Sequence, residues 1–151
     1  MLRIRSAKTG ESETLTNIAI RSEAYWGYGS SYMEKFQSIY KMTEEFIIKN
    51  PTFVIEEDQN LLGFYGILTN NNDSILEYFF VDSIYIGHGY GKILWNQLVN
   101  NCKDLGIKKF CIVTSPQAKE FYVKMGANVC GEVESLLKKG RLIPVLIYSV
   151  T

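Results

Sequence analysis

The stretch that most restricts what this chain can fold into runs over residues 75–105, where an apolar run, a loop with glycines at alternate positions and an amphipathic helix follow one another without interruption. Ile75-Leu76-Glu77-Tyr78-Phe79-Phe80-Val81 is rich in aromatic and β-branched residues and too short for a core helix, so it predicts a buried strand. From Tyr90 the period changes. Leu94, Leu98, Cys102 and Leu105 fall at helical steps on one face, with Trp95 beside them. Lys103 in the last turn and Gly106 just beyond it mark the helix end. Between strand and helix stands Gly87-His88-Gly89-Tyr90-Gly91-Lys92. A helix start leaves backbone N–H groups unpaired and carries partial positive charge. Glycine removes the Cβ that would hold an anion away and allows the positive φ of an anion-binding nest. The loop therefore suits a diphosphate; the plain alternative is a tight turn that needs backbone freedom alone.

Two familiar phosphate patterns fit badly. A Walker loop requires glycine where Ile86 stands and a hydroxyl residue where Ile93 stands. A dinucleotide fingerprint requires G-x-G-x-x-G, and the spacing here is G-x-G-x-G.

The remainder reads as alternating strands and helices in one domain over residues 1–151. Residues 2–6 alternate as a half-buried strand, and 12–25 form a helix with Leu15, Ile18, Ala19 and Ser22 inward. An aromatic turn over 25–32 contains Trp26 and Tyr28, which either line a ligand pocket or plug the core edge. Helical spacing over 33–49 passes through Phe36, Ile39, Tyr40, Phe46 and Ile47 and stops at Asn50-Pro51. Strands over 52–57 and 61–69 make a hairpin about Asp58-Gln59-Asn60, and residues 70–73 turn into the central strand. The strand over 108–114 follows a full helix, which implies a parallel pair with a right-handed crossover. Ser115 and Pro116 open a short helix carrying Phe121 and Met125 on one face, and residues 128–134 and 142–150 form a last hairpin.

Two segments carry a family resemblance. Val81-Asp82-Ser83, then Ile86, then Gly89-Tyr90-Gly91 resemble the signature of the GNAT acyltransferases (general-control-related N-acetyltransferases), with Ser83 where proline is usual and Ile86 where Arg or Gln is usual. The second change leaves backbone amides as the main diphosphate clamp. Pro116-Gln117-Ala118, Phe121-Tyr122 and Met125-Gly126-Ala127 resemble the family's later helix, with Gln117 where Asn is common. The resemblance implies a mixed α/β fold: a mostly antiparallel sheet of about seven strands with a parallel central pair, flanked by about four helices. It also implies acetyl-CoA as acyl donor, no metal, and transfer to an amine.

By the same resemblance, Phe79, Phe80 and Val81 lend main-chain groups to the pantetheine arm as an added strand would, and one of their N–H groups faces the thioester oxygen. Gly87, His88, Gly89, Tyr90, Gly91, Lys92 and Gln117 complete the cofactor site. Tyr122 takes the acid position at the thiol; ordinary values of about 10 for tyrosine and about 8.5 for a thiol make full proton transfer uphill by roughly 2 kcal/mol. Its plain alternative is an ordinary amphipathic tyrosine. Glu77, the ionisable residue of the central strand on a face with Phe79 and Val81, is either a base raised by burial or a structural carboxylate. A lysine-like amine pays about 4.6 kcal/mol at pH 7 to become neutral. The first two helices, with Trp26 and Tyr28, supply the acceptor pocket.

Composition bounds the partners. Sixteen basic and sixteen acidic residues cancel, so no field draws nucleic acid or an anionic membrane. Cys102, Cys111 and Cys130 show no C-x-x-C spacing, and the opening residues show no signal-peptide apolar region, which together point to the cytoplasm. His88 is the sole histidine, so no multi-histidine metal site can be built. The expected partners are a small-molecule or peptide amine acceptor and, as an open assembly, a homodimer. Two other classes stay in view: a non-catalytic acyl-CoA sensor, which needs the loop but not the Tyr122 hydroxyl, and a Rossmann-type nucleotide binder.

Overall fold

The computed structural model describes residues 1–70 and 73–150. Its elements in chain order are β1 (Leu2–Ser6), α1 (Ser12–Ala24), α2 (Ser30–Ile39), α3 (Glu44–Lys49), β2 (Thr52–Glu57), β3 (Asn60–Asn70), β4 (Asp73–Val81), α4 (Tyr90–Leu105), β5 (Lys109–Val113), α5 (Lys119–Lys124), β6 (Asn128–Glu134) and β7 (Leu142–Ser149), with a 3₁₀ turn at Ser83–Tyr85 before α4. The strands form one sheet in the order β1-β2-β3-β4-β5-β7-β6, antiparallel everywhere except between β4 and β5. The turn expected at residues 70–73 has its two central positions, 71 and 72, outside the described residues.

Each face of the sheet covers its own core. On one side Leu76, Tyr65 and Ile112 pack against Leu94, Trp95, Leu98 and Cys102 of α4 and Tyr122 of α5. On the other, Phe64 and Tyr78 pack against Leu15, Ile18 and Ala19 of α1 and Phe36 of α2. The predicted stripe of α4 is buried except at Leu105, which is 56% exposed. The helix closes at left-handed Gly106, and the Ile107 N–H returns to the Cys102 carbonyl at 2.9 Å, so Ile107 takes the packing position that the period assigned to Leu105.

Among the described residues there are five α-helices rather than about four, because the helix expected over 33–49 is two. Helix α2 begins earlier, at Ser30, and ends at Ile39. The break falls where Met42 turns inward and its N–H donates to Thr16 Oγ1 of α1 at 3.0 Å, leaving the helical ladder. Thr43 then restarts the chain by accepting the Phe46 N–H at 3.0 Å, an N-cap that apolar spacing does not reveal. Near the other end, Ser115 accepts the Ala118 N–H at 3.3 Å and caps a turn, while α5 proper starts at Lys119.

A β-bulge in β4 sets the site. Ile67 pairs with Leu76 and Gly66 with Tyr78, so Glu77 has no partner on β3. An extra residue shifts the alternation by one. Leu76 and Phe79 thus reach the α4 core while Tyr78 and Phe80 reach the α1 core. The shared face expected for Glu77, Phe79 and Val81 assumed unbroken alternation, and the bulge removes that assumption.

At the end of β4, Asp82 is buried and receives Arg21 of α1 through Nε at 3.0 Å and Nη2 at 2.8 Å. This bidentate pair ties α1 to the start of the glycine loop. No helix among the described residues is long and apolar enough to cross a membrane. Arg21→Ala leaves a buried carboxylate without its partner. It is expected to lower unfolding free energy by about 2 kcal/mol, less than a fully buried pair because Arg21 is half exposed, as read by urea denaturation.

Candidate active site

Strands β4 and β5 meet as a parallel pair at Ile75 and Cys111, and among the described residues no further pairing joins them. Strand β5 ends at Val113, whereas β4 continues to Val81 paired with β3 alone. One edge of β4 over residues 77–81 is therefore open. An open edge presents unpaired N–H and C=O groups that an extended ligand can meet. The strand is held in place by its side chains: the Phe79 ring lies 5.5 Å from Phe121 and 6.0 Å from Tyr122, and the Phe80 ring 6.0 Å from Phe36.

The loop beyond this edge uses its glycines for two purposes. Gly87 and Gly89 have φ of 88° and 84°, the left-handed region that a side chain would strain. Gly91 is helical, and a Cβ there would stand 3.2 Å from Phe121, so its role is to let α4 approach α5. Gly89 caps α4 without any side-chain acceptor. Among the described residues, the N–H groups over 87–92 find no backbone or side-chain partner. The result is a row of free amides at a positive helix end, suited to an anion. His88 and Lys92 are exposed beside it, and the His88 ring lies 6.2 Å from that of Tyr90.

Next to the open edge lies a cleft between α1–α2 and the β4–β5–α5 side, and both Glu77 and Tyr122 line it. Tyr122 is 6% exposed; burial pushes its hydroxyl well above the usual tyrosine value, with Thr114 pulling the other way. It is a tyrosine that keeps its proton. Glu77 is raised above the ordinary carboxylate range by burial alone, with no charge partner opposing. Trp26 is 44% exposed at the cleft, not part of the core. Tyr28 does not line the cleft directly; it stacks on Tyr32, which does, with centroids 3.9 Å apart. Gln117 stands at the rim, its Oε1 accepting from Arg141 Nη2 at 3.1 Å.

Several cleft residues escaped the sequence reading. Glu23 lines the cleft and accepts the Tyr32 hydroxyl at 2.9 Å. Burial raises it, while Tyr32 and then Arg141 lower it. One signal existed, since Glu23 lies four residues past Ala19 and continues the buried stripe of α1. Tyr40 also lines the cleft, its hydroxyl raised by burial, then by Glu77 and Glu23. Arg141, in the β6–β7 turn, donates through Nη2 to the Tyr28 hydroxyl at 3.1 Å as well as to Gln117. Among the described residues no group of three or more His, Cys, Asp or Glu side chains could hold a metal ion.

Residues 12–136 match the family model described as an acetyltransferase (GNAT) domain. No curated protein sequence matches at a significant level. The fold recurs in many solved structures. PaiA N-acetyltransferase from Thermoplasma acidophilum, in complex with coenzyme A, is 19% identical with a TM-score of 0.83 over 99% of both chains. The ribosomal-protein-S18-alanine N-acetyltransferase from Escherichia coli is 15% identical with a TM-score of 0.76, over 100% of this chain and 95% of that one. YncA from Salmonella typhimurium, with its cofactor acetyl-CoA, is 15% identical with a TM-score of 0.74, over 100% of this chain and 95% of that one. These likenesses carry the fold.

The cleft carboxylates can be titrated by NMR. Both Glu77 and Glu23 should titrate above the ordinary carboxylate value of 4.5. Tyr32→Phe removes a donor that favours ionised Glu23 and should push Glu23 higher while leaving Glu77 in place.

Proposed function

The chain belongs to the GNAT acetyltransferase family, and we propose that it moves an acetyl group from acetyl-CoA to a primary amine of a small-molecule or peptide acceptor by direct attack. The observation that carries this reading is the open edge of β4, flanked by free amides at one end and by Glu77 and Tyr122 in one cleft at the other. A cytoplasmic location and a single acetyltransferase domain over the whole chain belong to the same reading.

The residues fit the donor as follows. Main-chain groups of Phe79, Phe80 and Val81 take the pantetheine arm as an added strand. The amides over 87–92 take the diphosphate, with His88, Tyr90 and Lys92 around it and Gln117 at the rim. With Ile86 in place of a polar residue, the backbone is the clamp, and charge-assisted bonds of about 1.5–3 kcal/mol each are enough for it. Bound donor supplies a thioester carbonyl and a sulfur leaving group.

The acceptor enters from the α1–α2 side, past Trp26 and the wall that Tyr28 supports through Tyr32. Glu77 takes the proton that the attacking nitrogen must shed, which offsets part of the roughly 4.6 kcal/mol needed to neutralise an amine at pH 7. The nitrogen lone pair forms the C–N bond as the C–S bond breaks. A β4 N–H faces the carbonyl oxygen where negative charge grows. Tyr122 gives its proton to the departing sulfur, and the second proton that the new amide nitrogen must lose restores the Tyr122 hydroxyl. Burial makes this tyrosine a weaker acid than its ordinary value implies, so the proton moves only as charge reaches sulfur.

Three measurements test the reading. Tyr122→Phe should lower the rate of thiol release about 100-fold with coenzyme A affinity retained. A protein that binds acyl-CoA without transfer would release no thiol with any amine in a broad panel, and that result would replace the enzyme with a sensor. Gly89→Ala strains a left-handed residue and narrows the amide row, and should weaken coenzyme A binding about tenfold by calorimetry. Glu77 must be ionised to accept a proton, so lowering pH through its raised value removes the base. The acid limb of kcat should lie above the ordinary carboxylate value of 4.5 and vanish in Glu77→Gln.

A further inference from the structure

The cleft carries more negative charge than acetyl transfer uses. Its charged lining consists of two carboxylates, Glu23 from α1 and Glu77 from β4, and one cation, Arg141. The cation is already engaged, its Nη2 shared between the Tyr28 hydroxyl and Gln117 Oε1 at 3.1 Å each. Arg21, the basic residue in the last turn of α1, does not line the cleft and is committed to Asp82. Glu23 uses Oε2 to accept from Tyr32, and its Oε1 has no partner among the described residues. Glu77 has none on either oxygen among the described residues. Around the two carboxylates stand the rings of Trp26, Tyr32, Phe36 and Tyr40. Tyr40 lines the same cleft as both carboxylates. Half-buried carboxylates beside aromatic faces are the chemistry that recognises an ammonium group.

Resting on the acetyl transfer proposed above, we infer that the acceptor is a linear diamine or polyamine, with one amino group presented beside Glu77 and Tyr122 and a second ammonium held by Glu23 against the aromatic wall. The reacting nitrogen leaves its first proton on Glu77, forms the C–N bond and displaces the sulfur, which takes the Tyr122 proton; the second proton shed by the new amide nitrogen restores the Tyr122 hydroxyl. The second nitrogen keeps its proton throughout and acts only as a handle. An amino acid or peptide C-terminus would instead bring a third carboxylate into this space, where Arg141 is the one receiver and is occupied. A simple monoamine would bring no second charge to Glu23, leaving it only the Tyr32 hydroxyl and the field of Arg141 against its burial.

Three probes of equal chain length differ only at the far end: 1,4-diaminobutane, n-butylamine and 4-aminobutanoate. With acetyl-CoA and the full chain, kcat/KM for the diamine should exceed that for butylamine about tenfold or more, chiefly through KM, with 4-aminobutanoate lowest. Glu23→Gln keeps an acceptor for Tyr32 while removing the charge, and should compress the diamine-to-butylamine ratio toward one. Equal rates for the three probes, or a ratio that Glu23→Gln does not change, would overturn the inference and leave acetyl transfer standing. Preference for 4-aminobutanoate would overturn it in favour of Arg141 as the reader. Should no probe be acetylated, calorimetry of 1,4-diaminobutane on the coenzyme A-loaded protein still decides. Binding that weakens about tenfold in Glu23→Gln supports the ammonium site, and absence of binding refutes it. The wild-type ranking needs no variant and stands if Glu23→Gln fails to fold.

Discussion

Parallel strands β4 and β5 share a pairing at Ile75 and Cys111 and then part, and the organisation of the molecule follows from that parting. A strand edge left without partners inside a protein is expensive unless water or a ligand meets its polar groups. This edge survives because the rest of β4 is held elsewhere. Strand β3 pairs its other edge, and the aromatic side chains of Phe79 and Phe80 anchor it in opposite cores. The backbone is thereby fixed in an extended form before any ligand arrives. Such preorganisation spares a bound chain the ordering of its receptor.

The bulge at Glu77 belongs to the same arrangement. It falls where β5 is about to end, two residues beyond the Ile75 pairing. One added residue sends Leu76 to one core and Tyr78 to the other, leaving Glu77 between them on the cleft. Without that shift a carboxylate in this strand would have to sit in one of the two apolar clusters, where its ion could not be solvated.

Carboxylates elsewhere in the chain are treated differently. Glu56 accepts Arg3 at 2.8 Å and Arg5 at 3.1 Å, and Glu11 accepts Arg5 at 2.8 Å. Hydrogen bonds from these arginines hold both glutamates below the ordinary carboxylate range. At the loop start, Asp82 has Arg21. Each of these three carboxylates joins separate elements through a guanidinium. Glu77 lacks one, and Glu23 has the Tyr32 hydroxyl and the field of Arg141, an arrangement commoner at functional sites than at structural ion pairs.

The amino-acid order alone was enough for the strands, for α1 and α4, and for the glycine loop. Period changes at Tyr90, the cap at Gly106 and the alternation of residues 2–6 are local properties, set by neighbours within one or two turns of chain. The family motifs at 81–91 and 116–127 were readable for the same reason, since each is a short segment with its own geometry. Packing decided the rest. The end of α2 depends on Met42 meeting Thr16, the exposure of Leu105 on the way Ile107 folds back, and the bulge at Glu77 on its register with β3. Glu23 and Arg141 became cleft residues only when α1 and the β6–β7 turn came to line one space. Local sequence dictates which backbone shapes are cheap; which distant charges come to share a cleft depends on how whole elements stack, and no window of neighbouring residues contains that information.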